Sequence, residues 1–210
     1  DYMFDNTDNL SDDNKCAIHS SFSSNNNWDY DWDEYCPEEV FQPETRDGLK
    51  LAVEEWIADP DSANSTYGHI STWDTSLITN MSELFRDKTT FNDDISGWNT
   101  SSVTNMEFVF YGAHNFNQDI SSWNVSKVTN LKQMFTRTYA FDQDISGWDV
   151  SNVTNMQWVF FRASVFNQDI SSWDTSSVTE MRGMFYEARS FNQDISDWDV
   201  SSVTDMSFML

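Results

Sequence analysis

Five aspartates, Asp94, Asp119, Asp144, Asp169 and Asp194, recur at a constant step of 25 residues. Carboxylates in such a row have two chemical uses. On neighbouring strands they would lie about 4.8 Å apart and repel by roughly 1 kcal/mol in water. Each must then accept backbone N–H bonds, or the row must hold cations such as calcium, which takes oxygen ligands. The sequence leaves both uses open. His69 stands in the same place one step earlier. A second row, Asp74, Asn99, Asn124, Asp149, Asp174 and Asp199, contains two asparagines, which suits hydrogen bonding more than metal ligation.

Catalytic chemistry finds little to work with. His19, His69 and His114 occupy unrelated positions, and the serines recur as turn or cap residues with no general base beside them. An evenly repeated carboxylate pair defines no unique pocket. A non-enzymatic protein with no cofactor, calcium apart, is the expectation.

Aromatic columns offer recognition instead. Trp73, Trp98, Trp123, Trp148, Trp173 and Trp198 keep the same step. They either stack on sugar rings or fill the interior, and their inward place in the repeat favours the interior. Met81, Met106, Met156, Met181 and Met206 share a column with Leu131, which marks them as core. Another column reads Glu83, Phe108, Gln133, Trp158, Gly183 and Phe208, with Tyr111, Phe161 and Tyr186 three residues after members of it. Phe108, Tyr111, Trp158, Phe161, Tyr186 and Phe208 therefore form either an exposed interaction stripe or rings folded onto a neighbouring helix.

The elements that position these residues follow from the period. A 25-residue step kept without insertion from Trp73 to Trp198 predicts stacked repeats. Within a unit, Ile95, Trp98 and Thr100 read as a short strand. Val103, Met106, Val109, Phe110 and Ala113 fall at helical spacing behind Ser101 as N-cap. Before the array, TRDGLKLAVEEWIADP places Leu49, Val53, Trp56 and Ile57 on one helical face, with Thr45 or Asp47 as cap and Asp59-Pro60 as stop. Such a helix would cover the apolar end of the first repeat. The expected organisation is an acidic, loosely ordered leader over 1–43, a capping helix over 44–60, and six repeats over 61–210, the last incomplete. The array stops at Leu210, in a column otherwise held by Phe, so the chain continues or that end meets a partner. End-to-end stacking of copies would build a filament.

Composition narrows the setting. Thirty-five acidic residues against 11 basic ones, net −24, argue against nucleic acid and anionic membranes as partners. No apolar run is long enough to span a bilayer, and the first residues, which lack an initiator Met, form no signal peptide, as in a mature or partial product. Cys16 and Cys36 are expected to pair in an exported protein, closing a loop worth on the order of 3 kcal/mol. Six sequons, at Asn9, Asn64, Asn80, Asn99, Asn124 and Asn152, favour export and glycosylation.

The unit FNQDISSWNVSKVTN and its relatives, with the lead-in AVEEWIADP and YGHISTWDTSLITNMSELF, resemble the repeats of BspA-like leucine-rich-repeat surface proteins. Similar repeats occur in mycoplasma lipoproteins and marine algal proteins. The resemblance covers roughly residues 47–210 and implies a right-handed α/β repeat solenoid, secreted or on a cell surface, that contacts other surface or matrix proteins. It carries no catalytic residues. The expected function is a structural or adhesive module, with a carbohydrate-binding module and a self-assembling filament subunit as alternatives.

Overall fold

The computed structural model describes residues 10–22 and 40–210, and the chain divides into two units, 1–39 and 40–210. In the first unit, helix α1 runs over Asp12–Phe22. Ser11 Oγ accepts the Asn14 N–H at its start. The segment expected to be a loosely ordered leader thus holds one helix among its described residues. The helix has no apolar face to betray it, only a capping serine followed by two aspartates that suit a helix N-terminus. Of the expected Cys16–Cys36 pair, Cys36 lies outside the described residues.

The second unit begins at Val40 rather than after residue 43. Phe41 lies against the Tyr67 and Trp73 rings, at centroid distances of 4.6 and 5.2 Å. Its carbonyl accepts the Asp74 N–H, and Gln42 Nε2 donates to the Asp74 carboxylate. Helix α2, Arg46–Ala58, starts at Thr45, whose hydroxyl accepts the Gly48 N–H. Leu49, Ala52, Val53 and Trp56 are its buried face. A second helix follows directly: Asp59 ends α2 and caps α3, Pro60–Tyr67. Pro60 both stops one helix and starts the next, because a first-turn residue has no N–H to lose. A 3-10 turn, Ile70–Thr72, then leads into the repeats.

From there the chain returns on itself every 25 residues. Single parallel bridges join Asn80 to Asn105, Asn105 to Asn130, and so on to Asp205. Residues 61–72, expected to open the first repeat, are instead taken up by α3 and the 3-10 turn, and over 73–210 there is no helix and no extended strand, only turns and these single bridges. The expected strand-and-helix unit is therefore not what forms. In the coil after Thr104, the amides of Met106, Phe108, Phe110 and Gly112 donate to the next coil, at Asn130, Lys132, Met134 and Thr136 carbonyls. The alternate amides, Val109, Tyr111 and Ala113, close three-residue turns onto Met106, Phe108 and Phe110. A helix would spend all of these donors within one coil. Here half of them hold neighbours together. The price in conformation is two left-handed residues in each full chain of turns, one in the column of Glu83, Phe108, Gln133 and Trp158 at φ 56° to 62° and one four residues on, as at Asp87 and Gly112.

The interior is a set of stacked columns. The rings of Phe85, Phe110, Phe135, Phe160 and Phe185 stack at 5.3 to 5.7 Å. Phe91, Phe116, Phe141 and Phe166 stack beside them, and Phe110 meets Phe116 at 3.8 Å within one coil. Every tryptophan of the repeat column is at least 93% buried, Trp198 the most exposed at 7%. Each indole N–H from Trp98 onward donates to an isoleucine carbonyl one coil back, as Trp123 does to Ile95.

At the first coil the missing neighbour is replaced. Carbonyls in the column of Ser82 each accept an amide from the coil before, as Lys132 does from Phe108. Ser82 has no coil before it, and Arg46 Nε of α2 donates there at 2.9 Å. Trp56 of the same helix donates its indole N–H to Asp93.

Candidate interaction face

Three columns of short acidic or amide side chains serve the turns. Asp94, Asp119, Asp144, Asp169 and Asp194 each accept the N–H of the serine two residues on, at 2.9 to 3.0 Å. These N–H bonds together with the serine hydroxyls, the hydroxyl of Ser171 foremost at Asp169, hold all five carboxyls below the usual aspartate range, while neighbouring carboxylates push Asp119 and Asp169 the other way with lesser effect. The repulsion along the row is thus offset by a turn cap in every coil. Among the described residues no group of three or more His, Cys, Asp or Glu side chains gathers as a metal-binding set. The second row behaves alike: Asp74, Asn99, Asn124, Asp149, Asp174 and Asp199 accept from the serine two residues on. A third row escaped the sequence reading, Asn80, Asn105, Asn130, Asn155 and Asp205, which caps residues 82, 107, 132, 157 and 207. Its signal was the V-T-N that precedes Met106, Leu131 and Met156, with I-T-N and V-T-D at Asn80 and Asp205.

His69 corrects one expectation. Its Nδ1 lies 2.8 Å from Ser71 Oγ, so this serine does have an imidazole beside it. The same nitrogen accepts the Ser71 N–H, which makes His69 the first cap of the aspartate row. Of the sequons, Asn9 lies outside the described residues. Asn64, Asn99, Asn124 and Asn152 are exposed and Asn80 is half-buried. Asn152 Nδ2 donates to the Ser126 carbonyl of the preceding coil.

Phe108, Tyr111, Trp158, Phe161 and Tyr186 are half-buried, a state between the two expected, and Phe208 is exposed. Phe108 packs edge-on against Tyr111 at 5.7 Å, and Trp158 against Phe161 and Tyr186 at 5.3 and 6.2 Å. Trp158 lies over Gly183, where a Cβ would overlap its ring, and so reaches Phe208 two coils on, at 6.4 Å. Gly183 belongs to the left-handed column, at φ 62°.

Cations cover these rings, and sequence reasoning missed them. The Arg86 guanidinium lies over Phe108 and Tyr111 at 5.0 and 5.2 Å, Arg162 over Phe161 at 5.0 Å, and Arg182 over Trp158 and Phe208 at 5.8 and 5.4 Å. Lys132 approaches Phe108 at 5.5 Å. Acids join them: Arg86 pairs with Glu83, Lys132 with Glu107 and Arg182 with Asp205. Arg162 holds Glu187 through Nε and Nη2 at 2.8 and 3.1 Å, a bond that lowers the Glu187 pKa and raises that of Arg162. The side chains of Arg86, Arg162 and Arg182 remain 40 to 45% exposed. Within 40–210 the ion pairs gather on this face. The capping aspartates of the first two rows have no cation within ion-pair distance among the described residues.

The chain is thus a set of 25-residue turn-built coils with one charge-paired aromatic face. Over residues 58–160 and 137–210 it matches the family model described as "Mycoplasma protein of unknown function, DUF285", and it belongs to that family. No curated protein and no solved structure gives a significant match. Among the described residues no helix is long and apolar enough to cross a membrane.

Proposed function

We propose that residues 40–210 form a repeat solenoid of the leucine-rich-repeat-like class, akin to BspA-like surface proteins, that acts as a non-catalytic structural or adhesive module on or outside a cell. One observation carries this reading. In a chain with 35 acids and 11 bases, arginines collect over aromatic rings on one face, while the capping aspartates of the first two rows have no ion pair among the described residues. Aromatic rings and arginine are the side chains that dominate protein contacts. Exposed sequons accord with an exported protein. The buried tryptophans offer no ring to a sugar, and guanidinium groups already cover much of the stripe.

Beads coated with the protein are expected to adhere to a coat of matrix or cell-surface proteins. Combining Arg86→Ser, Arg162→Ser and Arg182→Ser should cut retention at least fivefold, whereas Asp94→Asn, Asp119→Asn and Asp144→Asn together should not. Equal retention of the two triple variants, or no retention of the native protein on any protein coat, ends this reading.

A further inference from the structure

At one place the face opens into a hollow of about 470 Å³, lined by Tyr139, Arg162, Ser164, Glu187 and Arg189. Its origin is a single column that reads Thr89, His114, Tyr139, Ser164, Arg189. Where the small Ser164 falls between a tyrosine and an arginine, the two long side chains become walls. The volume lies within the range of small-ligand sites, roughly 300–1,000 Å³.

The charges at this place are unusual for this molecule. Arg189 has no carboxylate within ion-pair distance among the described residues, although acids outnumber bases threefold in the chain. Arg137, one coil before Arg162 in its column and outside the lining, has no ion pair among the described residues; its guanidinium lies over Tyr111 at 6.0 Å and its buried Nε has no hydrogen-bond partner. Glu187 does not repel an incoming anion strongly, because Arg162 already binds both of its oxygens. The Arg189 guanidinium, with no ion pair and its charge answered only at longer range by Glu187, is placed for an anion from outside.

We propose that this hollow binds a carboxylate-bearing sugar, a uronic acid residue of a polysaccharide. Arg189 takes the carboxylate, and the hydroxyls of Tyr139 and Ser164 meet those of the ring. The lining of this hollow, hydroxyl, guanidinium and carboxylate beside one aromatic ring, suits a sugar, whereas the apolar hollow that shares Glu187 and Arg189 is lined by Phe185, Ala188, Phe191 and Leu210. Tyr139, 40% exposed and packed on His114 at 4.7 Å, presents a braced ring beside it. The site does not depend on the adhesive reading, since a soluble oligosaccharide probes it directly.

Titration calorimetry of the full chain with trigalacturonate should show saturable binding. Arg189→Ser and Ser164→Tyr, the second of which fills the gap, should each weaken it at least tenfold while melting as the native protein does. Galactotriose, blocked triglutamate and inorganic phosphate should bind at least tenfold more weakly than trigalacturonate. Absence of saturable uronate binding, or no weakening in Arg189→Ser, overturns the proposal. Equal binding of the neutral sugar, the peptide or phosphate overturns it as well.

Discussion

In the repeated phrase F-N-Q-D-I-S each residue holds a different neighbour. Phe116 stacks in the interior. Asn117 Oδ1 accepts the Asp142 N–H of the next coil, and Gln118 Nε2 donates to the Asn92 carbonyl of the coil before. Asp119 turns inward on its own coil and caps Ser121. An asparagine makes the same cap at Asn99 and Asn124, so charge is not what the turn requires. Asp119→Asn should therefore change stability by only a few tenths of a kcal/mol at neutral pH, while Asp119→Ala should cost about 1 kcal/mol, the loss of a cap. The carboxyl is held below its unfolded value, so its contribution is complete above the unfolded pKa, near 4, and fades as pH falls through the lower folded pKa. Asparagine does not titrate. Thermal melts should show the Asn variant gaining on the native protein below about pH 4, and calcium should move neither. A calcium-dependent rise in the native melt, absent from Asp119→Asn, would overturn the cap account.

At the scale of the element, the period was legible in the sequence and the conformation was not. Val103, Met106, Val109, Phe110 and Ala113 are all buried, as the helical spacing required. A chain of turns buries every third or fourth residue just as a helix does, so the apolar pattern cannot separate them. What separates them is the destination of the backbone donors, which depends on a neighbouring coil. The left-handed column was a faint clue, since Gly183 stands where other coils carry Glu83, Phe108, Gln133 and Trp158. Here the glycine answers two needs, a positive φ and room for the Trp158 ring. Gly183→Ala should cost about 1–3 kcal/mol through αL strain and the displaced indole. In the Trp158→Ala background, where the overlap is gone, the same substitution should cost only the strain, about 1 kcal/mol. A double-mutant cycle by urea denaturation reads the difference, and equal costs in both backgrounds would contradict the packing described.

For the whole molecule, the aromatic half of the face was legible as a column, whereas its cationic half was not. Lys132 and Arg182 stand in one column, Arg86 in another, and Arg162 in a third, so no single alignment of repeats displays them. They converge only because turns bring neighbouring columns to one surface. The hollow at Ser164 is likewise a property of three successive coils. The stacking itself is nearest-neighbour: each coil bonds to the one before and the one after, and α2 supplies through Arg46 the donor that the first coil lacks. A molecule built this way tolerates loss of a whole coil but not loss of register. Deleting residues 142–166 joins Phe141 to Asn167, keeps every column aligned, and removes Arg162 and Ser164 from the hollow. That variant should melt in one cooperative step, a few degrees below the native chain, with its near-UV circular dichroism intact. Deleting 143–166 removes one residue fewer and shifts each later column by a place, setting polar side chains where Ile170 and Trp173 were buried. Its near-UV signal should collapse. If the two deletions behave alike, the coils are not held by the column register that these hydrogen bonds describe.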